Sequence, residues 1–169
     1  MLVYKNMSLS PVKIFFIVLA VIILSLIILG FFYTRKTQNS GNQEIFLKGI
    51  VPSPLPEGIY KGSIGKHKVS WLGKAFNSQA LSGINMFVDS SGKLTEKYPF
   101  KIYIGRGLLD KNLTVLKIDY NIASNPLWVR IILDEIVQIS ENVYLGKVIL
   151  KIIPGFPFSV GYFELTKDK

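Results

Sequence analysis

The chain has 169 residues, enough for one domain and an appendage, and is 49% hydrophobic, with 20 Lys and Arg, 11 Asp and Glu, one histidine and no cysteine. The lack of cysteine excludes disulfides, thiol chemistry and lipid attachment at a cysteine, and a single imidazole excludes a multi-histidine metal centre. The net charge of +9 comes from scattered lysines without a nucleic-acid module pattern, so no nucleic-acid partner is expected.

Residues 1–13 read as a short N-terminal tail. "IFFIVLAVIILSLIILGFFY", from Ile14 to Tyr33, contains no charge. At about 1.5 Å per residue, twenty helical residues cover about 30 Å, the apolar thickness of a bilayer. The run is longer than a signal-peptide core, and "GFFYTRK" has no small-residue cleavage pattern. A single transmembrane helix over residues 14–34, retained in the mature chain, is therefore expected. Lys5 and Lys13 precede it and Arg35 and Lys36 follow it, so the charge rule is nearly balanced. The short tail and long following domain favour a barrel outside the cytoplasm, with a bacterial inner membrane as the favoured location.

Residues 35–57 read as a linker. "TRKTQNSGNQE" is polar, and "VPSPLPEG" should be extended and stiff. From Gly58 to Lys169 the pattern is β. Candidate strands, rich in Ile, Val, Tyr and Phe with period-two alternation, are "GIYKGSI", a short "KVSW", "ALSGINMFV", "YPFKIYIGR", "LTVLKIDY", "WVRIILDEIVQI", "VYLGKVILKII" and "FSVGYFELTK". "SNPLW" and "WLGKAFNSQ" are the places for a short helical turn. About eight consecutive strands with short connections predict an all-β, antiparallel up-and-down barrel behind the N-terminal helix.

The hairpins carry the functional reading. Pairing Ile139 with Tyr144 across "SEN" sets Val137, Glu135 and Leu133 opposite Gly146, Val148 and Leu150, all on one face. Across "PGFP", pairing Ile153 with Phe158 puts Val148 opposite Phe163 on that same face. Glu135 is then inward among apolar side chains, and Asp134 is outward, diagonal to Lys147 and Lys151. A pairing of Ile104 with Ile118 also brings Arg106 and Tyr120 inward. An ionised carboxylate inside a sheet costs several kcal/mol unless it is paired or hydrated. The expected ligand-binding set is therefore Glu135, Arg106, Tyr120, Tyr144 and Phe163, with a structural, satisfied carboxylate as the plainer account of Glu135.

Other motifs carry less. His67 in "GKHKVSW" reads as an exposed turn residue, and no nucleophile elbow accompanies it. Trp71 and Trp128 read as core or barrel-end plugs, with ligand stacking or a membrane-interface position as the sharper alternatives. "NMS" and "NLT", at Asn6 and Asn112, match the glycosylation sequon. No metal or cofactor is expected.

"LPEGIYKGS" at the first strand, followed by a run of antiparallel strands, resembles the opening of lipocalin-like and fatty-acid-binding-like barrels, with Tyr60 where lipocalins usually have tryptophan. "YPFKIYIGRGL", "NPLWVRIILDEIV" and "YLGKV" also resemble uncharacterised bacterial membrane-anchored proteins. The barrel resemblance implies non-catalytic binding of a small hydrophobic or lipid-like molecule in the interior. The competing expectations are a packed barrel serving as a structural or interaction protein of the cell envelope, with no protein partner identifiable, and a small enzyme built on Glu135. An interior cavity of at least about 300 Å³ separates the first from the second.

Overall fold

The computed structural model describes residues 10–65 and 69–167; Lys5, Asn6 and His67 lie outside the described residues. Helix α1 (Pro11–Gln38) begins at Ser10, whose hydroxyl accepts from the Lys13 amide at 3.4 Å, with Pro11 pre-set for the first turn. It contains the expected span and is long and apolar enough to cross a membrane. After it come α2 (Gly41–Lys48), β1 (Gly58–Ser63), β2 (Trp71–Asn77), β3 (Ser82–Val88), β4 (Leu94–Arg106), β5 (Thr114–Asp119), α3 (Leu127–Arg130), β6 (Ile132–Ser140), β7 (Val143–Ile153) and β8 (Phe156–Thr166). The strands pair antiparallel with their sequence neighbours, and β8 closes on β1 to complete an eight-stranded barrel.

Alternation fills the apolar interior from every strand but β3. Tyr60, Phe76, Phe100, Ile102, Leu116, Ile118, Ile136, Tyr144, Phe163 and Leu165 form one buried cluster. Aromatic edges stitch it across strands, with Tyr60 against Phe76 at 5.6 Å and Phe76 against Phe100 at 5.4 Å. The β7–β8 turn is Pro154-Gly155, and Gly155 has a φ of 81°, the left-handed value that this turn position requires.

Residues 35–57 differ from the expected linker. The first helix continues to Gln38, and α2 buries Gln43 and Phe46 on one face. Phe46 joins Val115, Val137 and Leu145 in a second core on the outer wall. Ile50 pairs with the Gln138 backbone of β6, and Leu55 of the proline-rich stretch packs against the interior cluster. An eight-residue helix showing only two buried positions leaves almost no periodic signal in sequence. The two candidate helical turns divide: "SNPLW" leads into α3, whereas "WLGKAF" is strand β2.

Register decides which side chains enter the barrel. Ser140 pairs with Val143, the register expected from the "SEN" turn, but Gln138 pairs with Tyr144. Ile139 is thus an extra residue on β6, a β-bulge, and beyond it the strand is slipped by one. Asp134 now faces Val148 and Ile118 inside, and Glu135 faces Lys147 and Lys117 on the outer wall. The expected inward Glu135 and outward Asp134 are therefore exchanged. The β4–β5 register, and the β7–β8 register from Val143 to Val148, differ from expectation by two residues, which preserves the faces there; a bulge then pairs Ile149 with Ser159 and Leu150 with Phe158, three residues from expectation, and turns Ser159 outward. Gly146 pairs with Phe163 and Ile102 with Ile118, all inward.

Candidate functional site

One half of the barrel is solid and the other is hollow. The hollow half is a cavity of about 390 Å³, opening where β1 and β3 end and β6 begins. Its walls include Ile64, Phe87, Tyr98, Trp128, Val148 and Phe163. Tyr98 is an extra residue on β4 with a φ of 60°, a bulge that turns its ring against Phe87 and Trp128. Concavities of about 560 and 610 Å³ are grooves along the outer wall.

The cavity floor is polar and made by alternation on three strands and the end of a fourth. Lys74 of β2, Asn85 of β3 and Asp134 of β6 all point inward, and Tyr120 follows β5. Lys74 is 2% exposed. Its ammonium donates to Asn85 Oδ1 at 2.9 Å, to Asp134 Oδ2 at 3.0 Å and to the Tyr120 hydroxyl. Tyr120 in turn donates to Asp134 Oδ2 at 3.0 Å and accepts from Asn85 Nδ2 at 3.1 Å. Trp71 Nε1 donates to Asn85 Oδ1 at 3.0 Å, and Asn85 Nδ2 reaches the Tyr98 carbonyl at 3.1 Å. Rings of Tyr120, Phe163, Phe100 and Trp71 lie 5.0–5.4 Å from the ammonium. Their faces favour the cation where water does not reach it.

Burial pushes the Lys74 amine below the ordinary lysine range, and the Asp134 carboxylate pulls it partly back. Burial and the same carboxylate hold the Tyr120 hydroxyl well above its usual value. Lysine and aspartate together are electrically neutral. All three ammonium protons are engaged, while Asp134 Oδ1 takes no hydrogen bond among the described residues. The floor therefore offers an arriving molecule an acceptor.

A second polar group lies on the outer wall. Tyr103, Lys117, Glu135, Lys147 and Tyr162 form one cross-strand row over β4 to β8. Glu135 Oε1 accepts from the Leu108 amide at 2.7 Å and pairs with Lys117 at 3.3 Å. Lys147, fully buried, donates to Gln43 Oε1 at 2.7 Å and pairs with Asp110. Burial raises the Glu135 carboxyl, with the Leu108 amide and Lys117 opposing. This group clamps α2 and the loop after β4 to the barrel wall.

The expected site residues therefore separate. Tyr120 and Phe163 border the cavity. Tyr144 is interior but in the packed half, its ring 5.2 Å from Tyr60, and burial raises its hydroxyl. Glu135 is outside the barrel, so the small enzyme built on it loses its interior carboxylate. Arg106 is exposed and donates to the Asn112 carbonyl at 3.1 Å, because the chain turns back over the outer wall after β4. Lys74, Asn85 and Asp134 were not foreseen. An apolar-flanked asparagine in "GINMFV" and a lysine in phase with Phe76 were their signals, readable only once the registers are known.

No protein-family model matches the sequence, and the curated proteins give no match. Among solved structures, the chain is similar to one described as "Crystal structure of protein from Thermomonospora curvata", with a TM-score of 0.54 and 16% identity over 75% of this chain and 85% of that one. At that identity the likeness shows the barrel fold alone.

Proposed function

We propose that this protein is a membrane-anchored barrel that holds a small, neutral, hydrophobic molecule, with α1 in a bacterial inner membrane and the barrel on its extracytoplasmic side. The observation that carries the reading is the open cavity of about 390 Å³, apolar in its walls and polar at one place on its floor. At roughly 30 Å³ per water-sized group, it accommodates on the order of a dozen non-hydrogen atoms. The floor selects the polar end. A hydroxyl can donate to Asp134 Oδ1, whereas a carboxylate meets a carboxylate beside a lysine already neutralised. The resemblance of "LPEGIYKGS" to lipocalin-like openings agrees with this reading as analogy.

The test is titration of the full chain in lipid nanodiscs with decan-1-ol and with decanoate, followed by the fluorescence of Trp71 and Trp128, which both line the cavity. Decanol should bind at least about tenfold more tightly than decanoate, a difference of about 1.4 kcal/mol. Equal affinity, or preference for the carboxylate, overturns the floor's role; no saturable binding of either overturns the binding reading.

The floor also favours a second reading. Lys74, Asp134 and Tyr120 lie within hydrogen-bond reach in one cavity, which is the geometry that proton-transfer chemistry requires. Decanal with a mild borohydride separates the two. A saturated carrier network leaves Lys74 unmodified, whereas a reactive amine is trapped as a stable adduct at Lys74, visible by peptide mass spectrometry.

A further inference from the structure

We infer that the cavity mouth lies against the membrane that holds α1, with α3 and the tip of the β7–β8 hairpin set into its headgroup region. The ligand then enters from the bilayer without crossing water. The ligand and the membrane around α1 rest on the proposed function; which end of the barrel faces that membrane rests on other contacts.

The direction of the first helix relative to the barrel is fixed by the stretch from Gly30 to its end at Gln38. Gly30 lies directly against the Phe158 ring, with no room for a side chain between them. The next turns face Ser159: Thr34 Oγ1 accepts from its amide at 3.0 Å, and Thr37 Oγ1 donates to its carbonyl at 3.4 Å. Farther along the chain, Gln43 meets Tyr162 and Lys147, Phe46 packs with Val137 and Leu145, and Ile50 pairs with Gln138. The contacts move steadily from the Pro154-Gly155 turn toward the turn joining β6 to β7. Traced backward from Gly30, the apolar helix leaves the barrel past the Pro154-Gly155 end. That is the end at which the cavity opens, since Ile64, Phe87 and Ile132 border it at their strand ends.

The level of the interface follows from the same contacts. Phe31, Phe32 and Tyr33 are exposed and are followed by Arg35 and Lys36, the aromatic and cationic order of a membrane boundary. Their neighbours Gly30, Thr34 and Thr37 lie against Phe158 and Ser159, which sets these residues at that level. Phe156 is two strand residues nearer the helix's apolar part, about 7 Å at strand rise, which matches four to five residues of helix. The hairpin tip thus comes level with the apolar stretch. The same end exposes Leu127 at 77%, Trp128 at 61%, Phe156 at 52% and Ile152 at 41%. Beside a bilayer these side chains lie at or below the headgroups. Trp128 packs on Tyr98, a cavity wall, at 5.4 Å, so the same residue edges both the mouth and the membrane surface.

The chain has no cysteine, so one introduced cysteine carries a unique label. The full-length variants Leu127→Cys and Phe156→Cys, with Gln79→Cys and Glu141→Cys at the opposite end, are labelled with an environment-sensitive nitrobenzoxadiazole. They are then reconstituted in phosphatidylcholine vesicles containing lipids spin-labelled along the acyl chain. Labels at 127 and 156 should be blue-shifted and quenched several-fold more than those at 79 and 141. Equal quenching at both ends, or stronger quenching at 79 and 141, overturns the placement. The readout needs no ligand, so its failure removes the membrane-facing mouth and leaves the decanol titration to judge binding.

Discussion

The sharpest consequence of the interior network is the response to Lys74→Met. The substitution keeps the length and apolar stem of the side chain and removes three hydrogen-bond donors together with the charge. Among the described residues, Asp134, 4% exposed, is left with Tyr120 as its partner. Breaking a buried ion pair from one side costs about 3–5 kcal/mol, because the abandoned charge stays desolvated. Against a domain stability of about 5–15 kcal/mol, that is a large loss. Asp134→Leu should cost a similar amount by stranding the ammonium. The double variant Lys74→Met/Asp134→Leu should recover most of the loss, since an apolar pair leaves no charge to desolvate and Tyr120 keeps Asn85. Urea unfolding of the full chain in a nonionic detergent, followed by circular dichroism, gives the three values, and the double-mutant cycle isolates the coupling. Additive losses in the double variant, or a single-variant cost below about 1 kcal/mol, would refute the buried pair as the organising feature of the floor.

Three further outcomes follow from the same contacts. Tyr120 has its hydroxyl held well above the usual value, so its stabilising contribution is complete below about pH 10 and falls away as pH rises toward the folded value; it should lower stability by about 1.4 kcal/mol per pH unit there, as urea midpoints from pH 9 to 11 will show, with the slope reduced in Tyr120→Phe. Tyr144 and Tyr162 act in the same direction, whereas Lys74, held below 10.5, stabilises increasingly up to that pH and adds nothing beyond it. Gly146→Ala places a methyl directly against the Phe163 ring, pushing it into the cavity, and should weaken decanol binding about tenfold in the nanodisc titration. Glu135→Gln, altering the outer wall, should leave decanol affinity unchanged, and a loss at that position would return Glu135 to the binding site.

Much of the architecture was legible because alternation is local. Ile, Val, Phe and Tyr at every second position announce a half-buried strand wherever it lies, and "DSSGK", "SEN" and "PGFP" announce its ends. Tyr120 and Phe163 fell on the inward face for the same reason. The floor was illegible because it inverts the code. In β2 the inward residues include Lys74, while Gly73 and Ala75 alternate with Lys74 and Phe76, so "WLGKAF" lacks the apolar rhythm of its neighbours. A buried lysine becomes reasonable only when the strands carrying Asp134 and Asn85 are placed beside it. Those partners are 60 and 11 residues away in sequence.

The bulge at Ile139 shows how little separates two functional readings of one strand. The turn at Glu141-Asn142 sets one register, and a single extra residue replaces it with the other. Without that residue's extra step, Glu135 would enter the barrel beside Val148 in the place of Asp134, and Asp134 would face the outer wall. With it, Asp134 reaches Lys74 and Tyr120, and Glu135 meets Lys117 and the Leu108 amide beneath the folded-back loop. Both acidic side chains thus find cationic partners, one lining a cavity and one holding the wall that α2 and the loop pack against. A flat hairpin could supply neither pair, since adjacent residues would keep the faces set by the turn. The bulge is therefore the local feature that makes "LDEI" serve the floor and the wall at once, and the interior cavity takes the Asp134 carboxylate on its floor from that choice.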